Sequence, residues 1–121
     1  MSPLERAAEI SVGRAVGFAA LAILVTMAGL AFDPPLAFAT GALLALLVAA
    51  TLEVKARLAP SFPYRRTEAW LMLQPTPAWP PETAQRVVGR VMAGTFRRYA
   101  RIALVAAFGL WGVSLIARLA G

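Results

Sequence analysis

The sequence predicts an all-α membrane protein with three transmembrane helices. The helices are expected to form a tight N-terminal helical hairpin, followed by a basic cytoplasmic loop and a long third helix with an amphipathic cytoplasmic extension. Hydrophobic residues make up 60% of the 121 residues and charged residues only 15%, whereas soluble domains carry roughly 25% charged residues. A chain of this length and composition is expected to form a single membrane domain over residues 1–121.

Charge is distributed unevenly about three apolar runs, none of which contains an ionisable residue. Eleven of the twelve basic residues lie on one side of these runs, and only Arg118 lies on the other. Cytoplasmic segments of membrane proteins carry such an excess of Lys and Arg. We therefore expect a bacterial inner (cytoplasmic) membrane location, with the N-terminus cytoplasmic and the C-terminus periplasmic.

The first apolar run covers residues 15–32, inside a predicted helix over residues 3–32. At a rise of about 1.5 Å per residue the run is about 27 Å long, close to the hydrocarbon core of about 30 Å. A secretory signal is the alternative, with Ala37-Phe38-Ala39 as a small-x-small cleavage pattern. The length of the run and the acidic residues Glu5 and Glu9 before it favour a transmembrane helix.

The second apolar run covers residues 34–52, inside a predicted helix over residues 34–57. Asp33 can cap this helix through its carboxylate, and prolines at positions 34 and 35 suit its first turn. The first two spans are therefore expected to form an antiparallel hairpin with almost no external loop.

Residues 58–81 are predicted to form a proline-rich loop at the membrane interface, because their six prolines forbid a long helix. Tyr64, Trp70 and Trp79 suit a membrane–water interface, where an amphipathic ring is half wet, and we predict that they anchor the loop there. The alternative is a loop folded on itself with Trp70 packed against it.

Residues 82–101 form a predicted basic amphipathic helix that continues into the third span, residues 102–120. At 100° per residue, four arginines fall within an arc of roughly 60°, with apolar residues opposite them; they are Arg86, Arg90, Arg97 and Arg101. Guanidinium groups bind lipid phosphates and carboxylates, so we predict a contact with anionic lipid head groups or with a partner protein. The alternative is a solvated face that only fixes orientation.

Small residues recur at helical spacing within the first two spans. Gly13 and Gly17 form a G-x-x-x-G motif, and Ala37, Gly41 and Ala45 form a small face on the second helix. Such faces let helix backbones approach closely in lipid. We expect the Ala37 face to pack against the first helix, because a tight hairpin brings the two together, rather than against a second copy.

The residue inventory excludes several functional classes. The chain has no Cys and no His, so it lacks the usual ligands for zinc, iron–sulfur clusters and haem. No ionisable residue lies within the three apolar runs, the third of which covers residues 102–117, and this disfavours proton-coupled transport and ion conduction. The hydroxyls of Thr26, Thr40, Thr51 and Ser114 are expected to bond to their own helix backbones. We predict no catalytic residues, no metal site and no cofactor.

These observations favour a non-catalytic small accessory or structural subunit of a larger bacterial membrane complex. A bioenergetic complex, respiratory or photosynthetic, is the expected host class. The expected partners are anionic membrane lipids and other integral membrane subunits, with no nucleic acid. An assembly or regulatory membrane factor and a small holin-like pore-forming protein are the alternatives.

Overall fold

Three long helices dominate the structure, a computed structural model that describes residues 3–61, 63–73 and 78–120. The α-helices are α1 (Pro3–Gly29), α2 (Pro34–Leu58), the short α3 (Glu68–Leu71) and α4 (Pro81–Ala120), with 3-10 turns at Ala59–Ser61 and Tyr64–Arg66. The described ranges contain no β-strand. Helices α1, α2 and α4 are each long and apolar enough to cross a membrane. The predicted all-α membrane fold with three spans is therefore confirmed.

The turn between α1 and α2 is short, as predicted, but it begins earlier. Helix α1 ends at Gly29 rather than at residue 32, and backbone hydrogen bonds from Leu30 to Met27 and from Asp33 to Leu30, both 3.0 Å, form successive turns. The Asp33 carboxylate accepts a hydrogen bond of 3.4 Å from the backbone N–H of Leu36 and caps α2. This cap satisfies one of the N–H groups that a helix start leaves unpaired.

The main helix pair in the spans is α2 with α4, which run antiparallel. The buried face of α2 includes Ala37, Gly41, Ala45 and Ala49. On α4 the matching residues recur every seventh position along one stripe; they are Ala93, Ala100, Ala107 and Ser114. Seven residues make about two helical turns, so these positions stack along one side of the helix. Small side chains on both helices let the backbones approach closely.

The predicted packing of the α2 small face against α1 is seen at Gly41, which lies against the thioether of Met27 near the end of α1 that the turn joins. A short turn holds two helices together only at the end that it joins. Over its whole length, α2 makes the more extensive contact with α4.

The span of α1 is almost unburied within the protein: 6% of its most apolar window is buried, against 33% for α2. Phe18, Leu21 and Leu24 are each more than half exposed. In a bilayer these side chains face lipid tails or another membrane protein.

The main core of the protein lies outside the spans. We call residues 3–14, 53–73 and 78–101 the basic end, because they carry the excess of Arg and Lys. Here the first turns of α1, the turn Ala59–Ser61, helix α3 and the first half of α4 bury their apolar side chains against one another. Ala8, Ala69, Ala84 and Val88 are at most 1% exposed.

Candidate arginine-lined groove

Helix α4 is amphipathic over its first half, as the arginine spacing predicted. Arg86, Arg90, Arg97 and Arg101 are all exposed. On the opposite face Val88, Met92 and Thr95 are buried against the rest of the basic end. The apolar face thus fixes the rotation of α4 about its axis, and this rotation aligns the arginines on the outside.

Three of these arginines line one open groove of about 690 Å³ between α4, the end of α2 and the turn Ala59–Ser61. Arg86, Arg90 and Arg97 come from α4, and Arg57 joins them from α2. Arg101 lies outside the lining. We call this feature the arginine groove. Gly94 contributes to the wall of the groove. No neighbouring atom lies within 4 Å of the position that a Cβ on Gly94 would occupy, so the groove is open at this point.

The width of the arginine groove is set by contacts between α4 and the turn Ala59–Ser61. A Cβ added to Gly89 would lie 2.9 Å from the Cα of Pro60, so only glycine allows the turn to rest this closely on α4. Gln85 reinforces the contact: its Nε2 donates to the Pro60 carbonyl at 3.1 Å, and its Oε1 accepts from the Tyr64 N–H at 3.0 Å.

Most of the positive charge in the arginine groove is uncompensated. Arg57 pairs with Glu53 at 3.3 Å, with side chains 74% and 43% exposed, and exposed pairs of this kind contribute about 0–1 kcal/mol. Arg86, Arg90 and Arg97 form no ion pair within the described part of the chain. The lining also includes Glu82, four residues before Arg86. The groove therefore suits an anionic ligand.

A second depression of about 290 Å³, beside the same stretch of α4, has a different electrostatic character. Glu5, Glu9, Arg90 and Arg98 line it. Arg98 pairs with Glu9 at 2.9 Å, which links α4 to α1. Because Glu5 and Glu9 face arginines here, this depression is close to neutral. Arg90 lines both depressions, whereas Arg86 and Arg97 line only the arginine groove, so the excess positive charge of α4 lies on the groove side.

The three aromatic residues of the proline-rich loop, Tyr64, Trp70 and Trp79, pack against one another. Tyr64 is only 9% exposed, and its ring stacks edge-on against Trp70 at 4.9 Å, while Trp70 lies 6.0 Å from Trp79. Arg65 donates to the Tyr64 hydroxyl at 3.1 Å, and this hydrogen bond raises the pKa of the Arg65 guanidinium. This packing favours the alternative of a loop folded on itself. Interfacial anchoring by Trp70 and Trp79 stays a prediction.

The two glycines of the G-x-x-x-G motif have different surroundings. A Cβ on Gly13 would lie 2.7 Å from the hydroxyl oxygen of Tyr99, so Gly13 lets α1 and α4 approach closely. Gly17 is exposed and has no atom within 4 Å of its Cβ position. The motif therefore serves intramolecular packing at one position only.

Sequence reasoning missed one hydrogen bond between helices. Thr26 and Thr51 donate to the carbonyls four residues earlier, both at 2.8 Å, as predicted. Ser114 instead donates to the Pro35 carbonyl of α2 at 2.9 Å and is 1% exposed. The seven-residue series of small side chains that ends at Ser114 is the signal that could have placed it at the α2–α4 interface.

Sequence reasoning also missed Arg57 as part of the groove, because it reaches the α4 arginines only through the packing of α2 on α4. It missed Gln85 and Gly94 as well, although both lie on α4 beside the arginines. The described residues contain no group of three or more acidic side chains that could hold a metal ion. Comparisons with families of known proteins, with curated proteins and with solved structures find no match to this chain.

Proposed function

We propose that this protein is a non-catalytic accessory subunit of a larger membrane complex, and that the arginine groove is its docking surface outside the lipid. The observation that carries the proposal is the set of three arginines around one open groove that form no ion pair with any residue the structure describes. Guanidinium groups bind and orient anions. The groove lining offers no paired carboxylates and no nucleophile beside a base, the arrangements that catalysis uses.

The weakly packed span of α1 supports a second contact within the membrane. Its exposed side chains Phe18, Leu21 and Val25 contribute little to the fold of the monomer. Helices in lipid associate through close packing and gain no hydrophobic drive from it. A neighbouring transmembrane helix can therefore replace lipid on this face at little cost, which suits a subunit that fills or braces an assembly.

The orientation and host belong to the same proposal. The positive-inside rule supports a cytoplasmic basic end, in the inner membrane of a bacterium. A respiratory or photosynthetic complex is the proposed host class, because such complexes accommodate small subunits that carry no cofactor. Reporter tags on the two ends of the chain are expected to report opposite compartments, and a common compartment would contradict three spans.

The deciding experiment is native gel separation of membranes solubilised in mild detergent, followed by identification of the co-migrating proteins. The expected result is co-migration with a larger membrane complex in a fixed ratio. A ratio that varies with growth conditions would favour an assembly or regulatory factor. A lone monomer band would contradict both, and dye release from vesicles containing the purified chain would then favour a pore-forming protein.

A further inference from the structure

We propose that the arginine groove binds an acidic segment of a partner protein rather than the phosphates of the membrane. This inference deepens the proposed docking function and rests on it. The distance between the groove and the lipid, which the packing of the three long helices determines, favours the protein segment.

The ends of the three apolar runs fall at one level of the structure. Gly13, two residues before the start of the first run, lies against Tyr99. The Lys55 ammonium, three residues beyond the second run, lies 6.0 Å from the centre of the Phe96 ring. The third run begins at Ile102 of the same helix. These contacts place the boundary of the hydrocarbon core close to Ile102 on α4.

The distance from this boundary separates the arginines of α4 into two pairs. At about 1.5 Å per residue, Arg101 and Arg97 lie about 2 and 8 Å beyond Ile102, whereas Arg90 and Arg86 lie about 18 and 24 Å beyond it. The head-group region is about 5–8 Å thick on each side of the core. A helix tilt of about 20° shortens the larger distances by less than a tenth.

Lipid phosphates are therefore within reach of Arg97 and Arg101 but not of Arg86 and Arg90. The groove lining includes both members of the distant pair and only Arg97 of the near pair, so most of the α4 arginines that line it lie beyond the reach of lipid phosphates. An anion that fills the groove must accordingly approach from the aqueous side. This requirement favours a protein segment over a lipid head group.

The chemistry of the lining defines that segment. An arginine fork binds a carboxylate through two parallel hydrogen bonds, which gives direction as well as attraction. From Arg86 to Arg97 the groove is about 16 Å long, the length of about five residues of extended chain. Glu82, beyond Arg86 at one end, repels further negative charge and so limits the acidic stretch in that direction.

A direct test uses the full-length protein in phosphatidylcholine nanodiscs and a fluorescent hexaglutamate peptide as probe, with binding followed by fluorescence anisotropy. We expect saturable binding to the wild type, weakened about tenfold or more in the double variant Arg86→Gln/Arg90→Gln, because a loss of about 1.4 kcal/mol corresponds to tenfold. Arg6→Gln removes an exposed charge from the same end outside the groove lining, and is expected to change affinity less than about twofold.

The lipid alternative is tested by native mass spectrometry of protein purified with phosphatidylglycerol. The Arg86→Gln/Arg90→Gln variant is expected to retain as much of this lipid as the wild type, and Arg97→Gln/Arg101→Gln to retain less. The proposal is overturned if the wild type does not bind hexaglutamate, or if Arg6→Gln weakens binding as strongly as Arg86→Gln/Arg90→Gln does. It is also overturned if Arg86→Gln/Arg90→Gln loses the bound phosphatidylglycerol.

A third variant separates the groove from general charge and folding effects. Gly94→Leu adds a side chain to the wall of the groove and leaves every arginine in place. It is expected to weaken hexaglutamate binding by at least threefold while the circular dichroism spectrum stays unchanged. Unchanged affinity in this variant would show that the peptide binds elsewhere on the basic end and would overturn the proposal.

Failure here is distinguishable from failure of the proposed function, because the peptide assay needs no host complex. Co-migration in a fixed ratio without hexaglutamate binding would support the accessory-subunit proposal and reject the groove as a binding site for an acidic segment. Hexaglutamate binding without co-migration would support the groove as a binding site for an acidic segment and reject the accessory-subunit proposal.

Discussion

The basic end and the membrane spans of this protein are held together in different ways. At the basic end, four elements bury their apolar side chains in a common core, and Val88 is only 1% exposed. Within the spans, burial is confined largely to the small side chains that face each other between α2 and α4. The α1 span hardly takes part in this packing.

The difference follows from the two solvents. At the basic end water surrounds the protein, and burying apolar surface stabilises the fold by about 25 cal/mol per Å². In lipid an apolar side chain is as well solvated as in the protein, so helices gain mainly from close van der Waals contact and from hydrogen bonds. The position of α1 is therefore set at the basic end, by Leu4, Ala8 and Val12.

The largest effect is expected when the α2–α4 interface is overpacked. Ala49→Leu enlarges a residue of the buried α2 face that is 6% exposed and should destabilise the protein by up to about 3 kcal/mol, since the closely spaced helices must separate. Ala22→Leu makes the same change on an exposed position of α1 and should be nearly neutral. Thermal unfolding in detergent micelles, followed by circular dichroism, measures both. Equal destabilisation would mean that α1 is packed as tightly as α2.

Truncation of one side chain in each region gives the next largest contrast. Val88→Ala at the basic end should lower the free energy of unfolding by about 2 kcal/mol, from lost burial and the cavity left behind. Val25→Ala, where the side chain is 64% exposed in the α1 span, should lower it by less than about 0.5 kcal/mol. Denaturant titration of the two variants checks this. A larger loss for Val25→Ala would place the stabilising core within the membrane.

The smallest effect distinguishes two glycines of α4 by the sign of the change. Gly89→Ala introduces a Cβ 2.9 Å from the Cα of Pro60 and should destabilise by about 1 kcal/mol, because backbone must shift. Gly94→Ala meets no neighbouring atom and should stabilise by about 0.5–1 kcal/mol through higher helix propensity. The two unfolding temperatures are expected to move in opposite directions. A gain from Gly89→Ala would show that the turn Ala59–Ser61 does not rest on α4.

Much of the fold could be predicted because it depends on local properties of the chain. Hydropathy and length located three spans, Asp33 with the two prolines after it located the helix turn, and the 100° spacing of arginines on α4 predicted their common exposed face. The candidate site was predictable only in part. Arg86, Arg90 and Arg97 follow from helix periodicity, but Arg57 reaches them across the α2–α4 interface, which no local pattern specifies.

The sequence by itself determined which segments enter the membrane, which end of the bundle is basic and which face of α4 is charged. Tertiary structure alone decided that α2 packs more extensively with α4 than with α1, that Tyr64 is buried, and that Arg101 lies outside the groove. The physical reason is that hydropathy and periodicity act within one helix, whereas the choice of partner in lipid depends on the fit of two backbones. That fit comes from small residues on both helices, brought together by chain segments that are far apart in the sequence.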